Sequence, residues 1–404
     1  MAVRKSPSVQ KESLDIEKLK TSVIDEIDAR RHQLSELSLK IHSNPELAFQ
    51  EVKAVACLTE YLRESGFSIE QGICGLQTAF RGSYGQGKPA IAVLAEYDAL
   101  PKLGHACGHN LIAAGAVAAA VASKSAIDQF GGTILVIGTP GEELYGGKII
   151  MANRGAFAGV DIAMMVHPNV KNTATTKFLA CQTLEVEFFG KAAHAAARPE
   201  AGINALEAML QSFAAINSLR QHIKDKARVH GIITDGGEAA NIVPAHSAAN
   251  FIVRAEDDHY LDELKEKVLN CFTGAATASG ARLKYRWGEV RYASLRNNLT
   301  LARLFRRNLQ SLGRKVHLLD PTNSFGSSDM GNVSQLVPSI HPSVAIAQTK
   351  VLIHSPQFAS AAASEAGVRG LLDAAKALAM TVVDLVANPE IVTRIKEEFG
   401  QRKQ

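Results

Sequence analysis

The sequence predicts an α/β protein: a mixed, mostly parallel sheet with helices on both faces, and a smaller α+β domain inserted into the chain. Two observations predict this class. Between residues 90 and 168, apolar runs of five to seven residues alternate with helical stretches, which is typical of parallel strands buried on both faces. After about residue 180 the apolar residues alternate with polar ones, as in strands with one solvent-facing side. The length of 404 residues suits two domains.

The elements of the first domain follow from its hydrophobic pattern. Residues 15–40 predict a charged helix, the proline of SNPELAFQE interrupts the pattern, and helical spacing resumes over 52–66. The predicted buried strands lie in the runs AIAVLAEYD (90–98), GTILVIGTPGEE (132–143) and DIAMMVHP (161–168). An alanine-rich helix begins near residue 110. Its apolar run LIAAGAVAAAVA, at 111–122, is too short to cross a bilayer.

The inserted domain shows the order β-α-β-β-α-β, which is that of a ferredoxin-like fold. Its strands are predicted in TLEVEFFG, VHGIIT, SAANFIVRA and ARLKYRW, and its second helix over 258–279. A further α/β stretch begins near residue 295. We therefore expect a discontinuous α/β domain of residues 1–180 and 296–404, and an inserted α+β domain of residues 181–295.

Charge and cysteine content narrow the class of protein. The 44 basic and 40 acidic residues give a net charge of +4, and the charged runs mix both signs, which argues against a nucleic-acid binder. Five scattered cysteines do not form a disulfide framework and suit a reducing cytoplasm. The first residues lack the apolar core of a signal peptide. We expect a soluble cytoplasmic protein with no membrane or nucleic-acid partner.

Metal-competent side chains follow the predicted buried strands. In chain order they are Asp98, Cys107, His109, Glu142, Glu143 and His167. The carboxyl ends of parallel strands meet at one edge of a sheet, so we expect these side chains to lie together. Thiolate, imidazole and carboxylate ligands suit zinc or a similar divalent transition metal.

The adjacent pair Glu142 and Glu143 indicates the reaction class. One carboxylate can bind metal while its neighbour takes a proton from the water that the metal activates and passes it to a leaving amine. Each residue alone has a simpler interpretation: the Glu pair as an acidic helix start, Cys107 as a small buried hydrophobe, and His105 as a packed histidine. Their convergence on one sheet edge favours the metal site.

With these residues in place, the chain resembles the two-metal aminoacylase and carboxypeptidase family, peptidase family M20, in its amidohydrolase branch. The motifs stand in order from end to end: HSNPELAFQE, AEYDALPKLGHACGHN, GTPGEE, GKAAHAAARPEAGINAL, GGEAANIVPAHSAANFIVRA, SSDMGNVSQLVPSIHP and HSPQF. The short spacer between EYDALP and GHACGHN is similar to the sub-branch of p-aminobenzoyl-glutamate hydrolases and dipeptidases acting on β-alanyl-lysine-type peptides.

The resemblance implies roles for residues matching the family's motifs. The implied metal ligands are Cys107, His109, Glu143, His167 and His354. Glu142 becomes the general acid/base, and Asp98 supports a ligating histidine. From the inserted domain, His194 resembles a histidine that reaches a neighbouring subunit's site and steadies the oxyanion. Asn241 and Arg254 look like substrate-positioning groups, Arg254 by a two-point contact with a carboxylate.

The sequence departs from the family pattern at Glu96. Many members begin their metal site with His-x-Asp, whereas EYD here places Glu96 two residues before Asp98. The resemblance then gives the bridging place to the thiolate of Cys107. A mixed set of sulfur, nitrogen and oxygen ligands suits two divalent ions, zinc or manganese first, with cobalt and nickel also suited.

Taken together, the sequence predicts a metal-dependent amidohydrolase or dipeptidase that cleaves small N-acyl amino acids or dipeptides, with the metal site in the discontinuous catalytic domain. The resemblance implies a homodimer in which the inserted domain serves as lid and dimerisation domain. Substrate would bind between the domains, and closure of the inserted domain would exclude water. Two alternatives stay open: an amide hydrolase with Cys107 as nucleophile and His109 or His105 as its base, and a ligand-binding relative without turnover. Removal of metal by a chelator separates the metal-dependent mechanism from the cysteine mechanism, since a cysteine enzyme should stay active without metal.

Overall fold

The computed structural model describes residues 7–319 and 326–401, which divide into two units. The first comprises Met1–Lys177, Arg296–Ser324 and Asn332–Gln404, and the second comprises Phe178–Leu295 with Phe325–Gly331. The sequence analysis had placed that last segment in the catalytic domain. It joins the second unit because Gly326 pairs with Phe178 and Ser327 accepts a hydrogen bond from Arg254 at 2.8 Å.

The described residues contain fourteen α-helices, three short 3-10 helices and twelve strands. The helices are α1 Pro7–Ala29, α2 Arg31–His42, α3 Val52–Glu64, α4 His109–Ala122, α5 Lys124–Phe130, α6 Glu142–Tyr145, α7 Gly147–Asn153, α8 Ala205–Leu219, α9 Asp258–Ser279, α10 Leu299–Ser311, α11 Met330–Leu336, α12 Pro356–Ala362, α13 Glu365–Ala387 and α14 Pro389–Gln401. The strands are β1 Ser68–Gln71, β2 Phe80–Gln86, β3 Ala90–Ala95, β4 Gly132–Gly138, β5 Ile162–Met164, β6 His167–Asn169, β7 Ala180–Phe189, β8 Arg228–Asp235, β9 His246–Ala255, β10 Arg282–Tyr292, β11 Ser339–Ile340 and β12 Ser343–Ala345.

The first unit is built on a six-stranded sheet of order β1-β2-β4-β3-β5-β11. Strands β4, β3, β5 and β11 pair in parallel, while β1 and β2 are antiparallel additions at one edge. All six residues of β3 are buried, because helices cover this central strand. The mixed, mostly parallel α/β class is confirmed.

Two helical regions of this unit differ from what the hydrophobic pattern alone indicates. The predicted helix over 15–40 is two helices, α1 and α2, separated at Arg30, where neither glycine nor proline marks the break. The stretch His109–Phe130 is long and apolar enough to span a membrane by length and composition, but 89% of its apolar 18-residue window is buried. It packs on β3, β4 and α13 as a core helix.

The second unit has an antiparallel four-stranded sheet of order β10-β7-β9-β8, against which α8 and α9 pack. Residues alternate along β9 between buried and more exposed positions, so the helices cover one face only. This is the ferredoxin-like arrangement predicted from the sequence. The edge strand β8 exposes Ile232, which is 66% accessible to solvent.

Candidate metal centre

Cys107 and His109 are placed by a glycine that no other residue can replace without strain. Gly108 lies in the left-handed region at φ 80° and precedes α4. A Cβ atom there would come within 2.9 Å of the ring of Pro168. This close approach brings the loop against His167, whose Nε2 is 3.3 Å from the Sγ of Cys107.

His109 is oriented by Asp98. The Nδ1 atom of His109 lies 2.9 Å from Oδ1 of Asp98 and 3.0 Å from its carbonyl oxygen. Both partners are acceptors, so Nδ1 carries the hydrogen and Nε2 points to the opposite side. Burial disfavours the charged imidazole, but the charges of Cys107 and Asp98 outweigh it and raise the pKa of His109 well above its usual value.

Asp98 also fixes the turn that carries Glu142 and Glu143. Its Oδ2 accepts the backbone N–H of Glu143 at 2.9 Å, so one carboxylate connects two of the metal-competent side chains. Burial alone would raise the pKa of Glu143. The adjacent imidazole of His354 and the charge of His109 instead hold the pKa of Glu143 below its usual value.

His354 reaches this cluster from the distant C-terminal part of the chain. Its Nε2 lies 3.5 Å from Oε1 of Glu143, and its backbone N–H donates to the carbonyl of Ala106 at 3.0 Å. His354 adopts a φ of 63°, which is strained for a residue with a side chain. Strain of this kind persists where the surrounding structure imposes it, often at functional sites.

The side chains form overlapping groups suited to metal ions. Cys107, His109 and His167 form one group, and Cys107, Glu143 and His354 another, with ligand atoms within 4.8 Å of one another in each. A third group joins His109 with Glu142 and Glu143. Buried Nε2 of His109 has no hydrogen-bond partner among the described residues and lies 3.9 Å from Oε1 of Glu143. A divalent cation between these atoms would accept electron pairs from both the imidazole nitrogen and the carboxylate oxygen. The residues therefore fit a metal site.

The sequence analysis did not assign a role in the site to two buried charged residues, Lys148 and Glu96. Lys148, on α7, is fully buried and its Nζ lies 2.5 Å from Oε1 of Glu96. Burial would raise the pKa of Glu96, but the charges of Lys148 and His109 lower it to about 2. The other carboxylate oxygen lies 3.4 Å from Nε2 of His109. Lys148 belongs to no motif, so only the fold reveals it.

His341 is a second residue that the sequence analysis did not assign. It occurs in the motif SSDMGNVSQLVPSIHP, and its ring stacks on that of His167 with centroids 5.4 Å apart. Burial lowers the pKa of His341 to about 3, so it is a neutral ring. It packs the ring of His167 from the side of β11.

The second unit carries the other three predicted site residues. His194 and Asn241 are exposed neighbours, because Ala195 donates its N–H to the carbonyl of Asn241 at 3.0 Å. The Nδ1 of His194 accepts the N–H groups of Ala196 and Ala197, which leaves Nε2 as the donor. Arg254 is not grouped with them: it lies near the far end of β9 and donates to Ser327.

The chain is similar to a mammalian dipeptidase over nearly its whole length and to a bacterial hydrolase over about two thirds of it. Xaa-Arg dipeptidase from Mus musculus is 38% identical over 96% of this chain and 94% of its own length. One of the two p-aminobenzoyl-glutamate hydrolase subunits of Escherichia coli is 35% identical over 66% of this chain and 60% of that protein. A family model for the M20 peptidase dimerisation domain matches residues 181–277.

The chain belongs to the M20 peptidase family. Solved structures agree with this at the level of the fold. The Bacillus subtilis YXEP protein, described as a dinuclear metal-binding peptidase of the M20 family, superimposes with a TM-score of 0.72 at 21% identity, covering 89% of this chain and 99% of that one. This M20 peptidase is a metal-dependent hydrolase of amide bonds, as the sequence analysis predicted.

The cysteine-nucleophile alternative is not favoured for this M20 peptidase. Burial raises the pKa of the Cys107 thiol well above its usual value, whereas a nucleophilic cysteine needs a lowered one. His105, which the cysteine mechanism offers as a base in place of His109, is buried, and desolvation lowers its pKa to about 3. Neither side chain has the properties of a thiol–imidazole catalytic pair.

Proposed function

We propose that this M20 peptidase hydrolyses dipeptides with a basic C-terminal residue. The observation that carries the proposal is the end-to-end similarity to Xaa-Arg dipeptidases of mouse and human, which are 38% and 36% identical. A second candidate is the amide of p-aminobenzoyl-glutamate, supported by the 35% identity to the bacterial hydrolase. N-acyl amino acids contain the same scissile bond and complete the set of substrates to be tested.

We propose that the centre takes two divalent metal ions per chain, zinc or manganese first, with cobalt and nickel also suited to the ligands. Cys107 belongs to two of the three groups, as do His109 and Glu143, and the family resemblance gives the bridging place to its thiolate. The ligands would be Cys107, His109, Glu143, His167 and His354. The mixed sulfur, nitrogen and oxygen donors are typical of transition-metal sites.

The chain's own residues would carry the proton and the developing charge. Bound metal ions would polarise the scissile carbonyl and lower the pKa of a water molecule to about 7. Glu142 would take a proton from the attacking water and return it to the departing amine nitrogen. His194 would donate its Nε2–H to the developing oxyanion. Asn241 would position the substrate, and Arg254 would bind its carboxylate through the N–H groups that Ser327 leaves free.

We propose a homodimer formed through the second unit. The family model that matches this unit is a dimerisation domain, and β8 is an edge strand with an exposed Ile232. An apolar edge strand offers unpaired backbone groups to a second copy. We also propose a cytoplasmic location, because all five cysteines are free.

Metal analysis combined with a substrate panel tests the activity. The panel contains an Xaa-Arg dipeptide, β-alanyl-lysine, p-aminobenzoyl-glutamate and an N-acetyl amino acid. We expect two ions per chain by elemental analysis, turnover of the basic dipeptides, and loss of turnover on chelation that added metal restores. Glu142→Gln should lower kcat by about 10²–10⁴-fold while metal content stays unchanged. Turnover by metal-free protein would contradict the mechanism.

Mixing two inactive variants tests the dimer and the role of His194 together. Glu142→Gln and His194→Ala are refolded or co-expressed as a mixture. If His194 serves the partner's site, each mixed dimer contains one intact site, and activity should return to about a quarter of that of the unmodified protein. If both variants fold and bind metal but the mixture stays as inactive as its components, His194 does not act across subunits.

A further inference from the structure

The turn that carries Glu142 and Glu143 is too short to hold its own shape. The helix α6 has only four residues and lies between Gly141 and Gly146, both in the left-handed region at φ 70° and 59°. A single helical turn is unstable by itself, because nucleation fixes several residues for very few hydrogen bonds. Its surroundings must therefore impose the direction in which Glu142 points.

Two buried carboxylates hold the backbone of this turn, one on each side of Glu142. Asp98 accepts the N–H of Glu143 at 2.9 Å. On the other side, Oε1 of Glu51 accepts the N–H of Gly141, also at 2.9 Å. Glu51 is fully buried and precedes α3, in the motif HSNPELAFQE, to which no function has so far been assigned.

The neighbouring Phe49 supports the same turn by packing. Its ring stacks on that of Tyr145 with centroids 5.5 Å apart, and a Cβ atom added to Gly141 would lie 2.9 Å from it. Phe49 itself has a φ of 64°, which is unusual for an aromatic residue. Residues 49–51 thus contact both ends of the turn, through an aromatic ring and a hydrogen-bond acceptor.

We infer that Glu51 is a positioning residue for hydrolysis: by accepting the Gly141 N–H, it sets the orientation of Glu142. The inference rests on the proposed role of Glu142 as the proton carrier. Catalysis needs the acceptor oxygen of Glu51 and not its charge. The second oxygen, Oε2, has no hydrogen-bond partner in the described ranges 7–319 and 326–401, and Asp98 contributes a like charge nearby. Burial and this charge raise the pKa of Glu51 to about 7.

Three substitutions separate the acceptor from the charge. Glu51→Gln keeps an acceptor oxygen at the same length, Glu51→Asp withdraws it by one methylene, and Glu51→Leu removes it. Glu46→Leu is the matched control, because Glu46 lies in the same loop and accepts the N–H groups of Lys53 and Ala54 at 3.0 Å each. It supports the start of α3 without contributing a side-chain hydrogen bond to the turn.

Steady-state kinetics and hydrogen exchange are measured on the metal-loaded protein. We expect Glu51→Leu and Glu51→Asp to lower kcat by about 10–100-fold with KM nearly unchanged, because small misplacements of a catalytic group are costly. Glu51→Gln should rescue kcat to within about threefold of the unmodified enzyme, and Glu46→Leu should lower stability but not kcat. Amide exchange over residues 139–147 should accelerate in the Asp and Leu variants alone.

Two results would overturn the inference: Glu51→Asp with unchanged kcat and unchanged exchange, or Glu51→Gln as impaired as Glu51→Asp. The test depends on the Glu51→Asp and Glu51→Gln variants, so it still holds if the Glu51→Leu protein does not fold. Failure of the proposed function is recognised separately, since Glu142→Gln would then retain kcat. In that case faster exchange of the turn in Glu51→Asp still establishes that Glu51 holds it.

Discussion

The buried ion pair between Lys148 and Glu96 offers a direct test of the electrostatics beneath the metal centre. Both side chains are almost fully inaccessible, at 0% and 1% of their surface, and the charged atoms are 2.5 Å apart. At an effective dielectric constant of about 20 their attraction is about 7 kcal/mol. Most of this offsets the cost of removing two ions from water. The net stabilisation by the intact pair is therefore small, but loss of one partner is costly.

Lys148→Met should lower the free energy of unfolding by about 3 kcal/mol, the lower end of the range for an orphaned buried charge. The lower end applies because His109, whose Nε2 is 3.4 Å from Glu96, is left as an alternative cation in metal-free protein. The double variant Glu96→Gln/Lys148→Met removes both charges and should recover most of that loss. Lys88→Met is the control, since Lys88 pairs with Asp161 but its side chain is 61% exposed.

Urea unfolding at pH 7 after chelation measures these differences, because bound metal would stabilise the folded state and obscure them. The control should lose less than about 1 kcal/mol. The electrostatic argument is refuted if Lys148→Met behaves like the control. It is also refuted if the double variant is as unstable as Lys148→Met alone, since the loss would then come from packing.

Three further predictions follow from the same contacts. Asp98→Asn should weaken metal binding by about 10–100-fold, measured by competition with a chromophoric chelator, because Asp98 orients the imidazole of the proposed ligand His109. Gly108→Ala should lower the thermal midpoint more than Gly280→Ala does: both glycines have positive φ, but a Cβ atom finds open space only at Gly280. Glu51 has a folded-state pKa of about 7 against an ordinary 4.5, so it favours folding below pH 4.5 and this contribution disappears as the pH rises through 7. Glu51→Gln should therefore flatten the decline in stability between pH 4.5 and 8, by about 3 kcal/mol at most, in unfolding curves recorded across that range.

Buried strands and the polar residues that follow them were the most predictable part of this molecule. Strands β3 and β4 lie within the predicted runs, and the segments after them bring Asp98, Cys107 and Glu143 together. The third predicted strand end was less accurate. Strand β5 stops at Met164, and His167 opens the separate strand β6, which pairs with β12. Because β12 is far from β6 in the sequence, the local hydrophobic period around His167 does not indicate their pairing.

Domain boundaries were predictable only where the hydrophobic period changes along the chain. The change near residue 180 marks the start of the second unit, which begins at Phe178. The return of Phe325–Gly331 to that unit had no such mark. It depends on a strand bridge to Phe178 and on the hydrogen bond between Arg254 and Ser327, two contacts that only the folded chain defines.

The site residues differ in how visible they are to sequence analysis for a chemical reason. A metal ligand must supply a particular atom, so a proposed ligand such as His109 or Cys107 cannot be exchanged for a residue of similar size, and the residue type itself carries the signal. A residue that only holds the backbone of a turn needs an acceptor oxygen at the correct place, which carboxylate and amide supply equally well. Glu51 is of this second kind, and its role follows from a 2.9 Å hydrogen bond to Gly141 and not from its charge. The same reasoning makes Glu51→Gln the most informative variant, because it separates the identity of the residue from the geometry that it maintains.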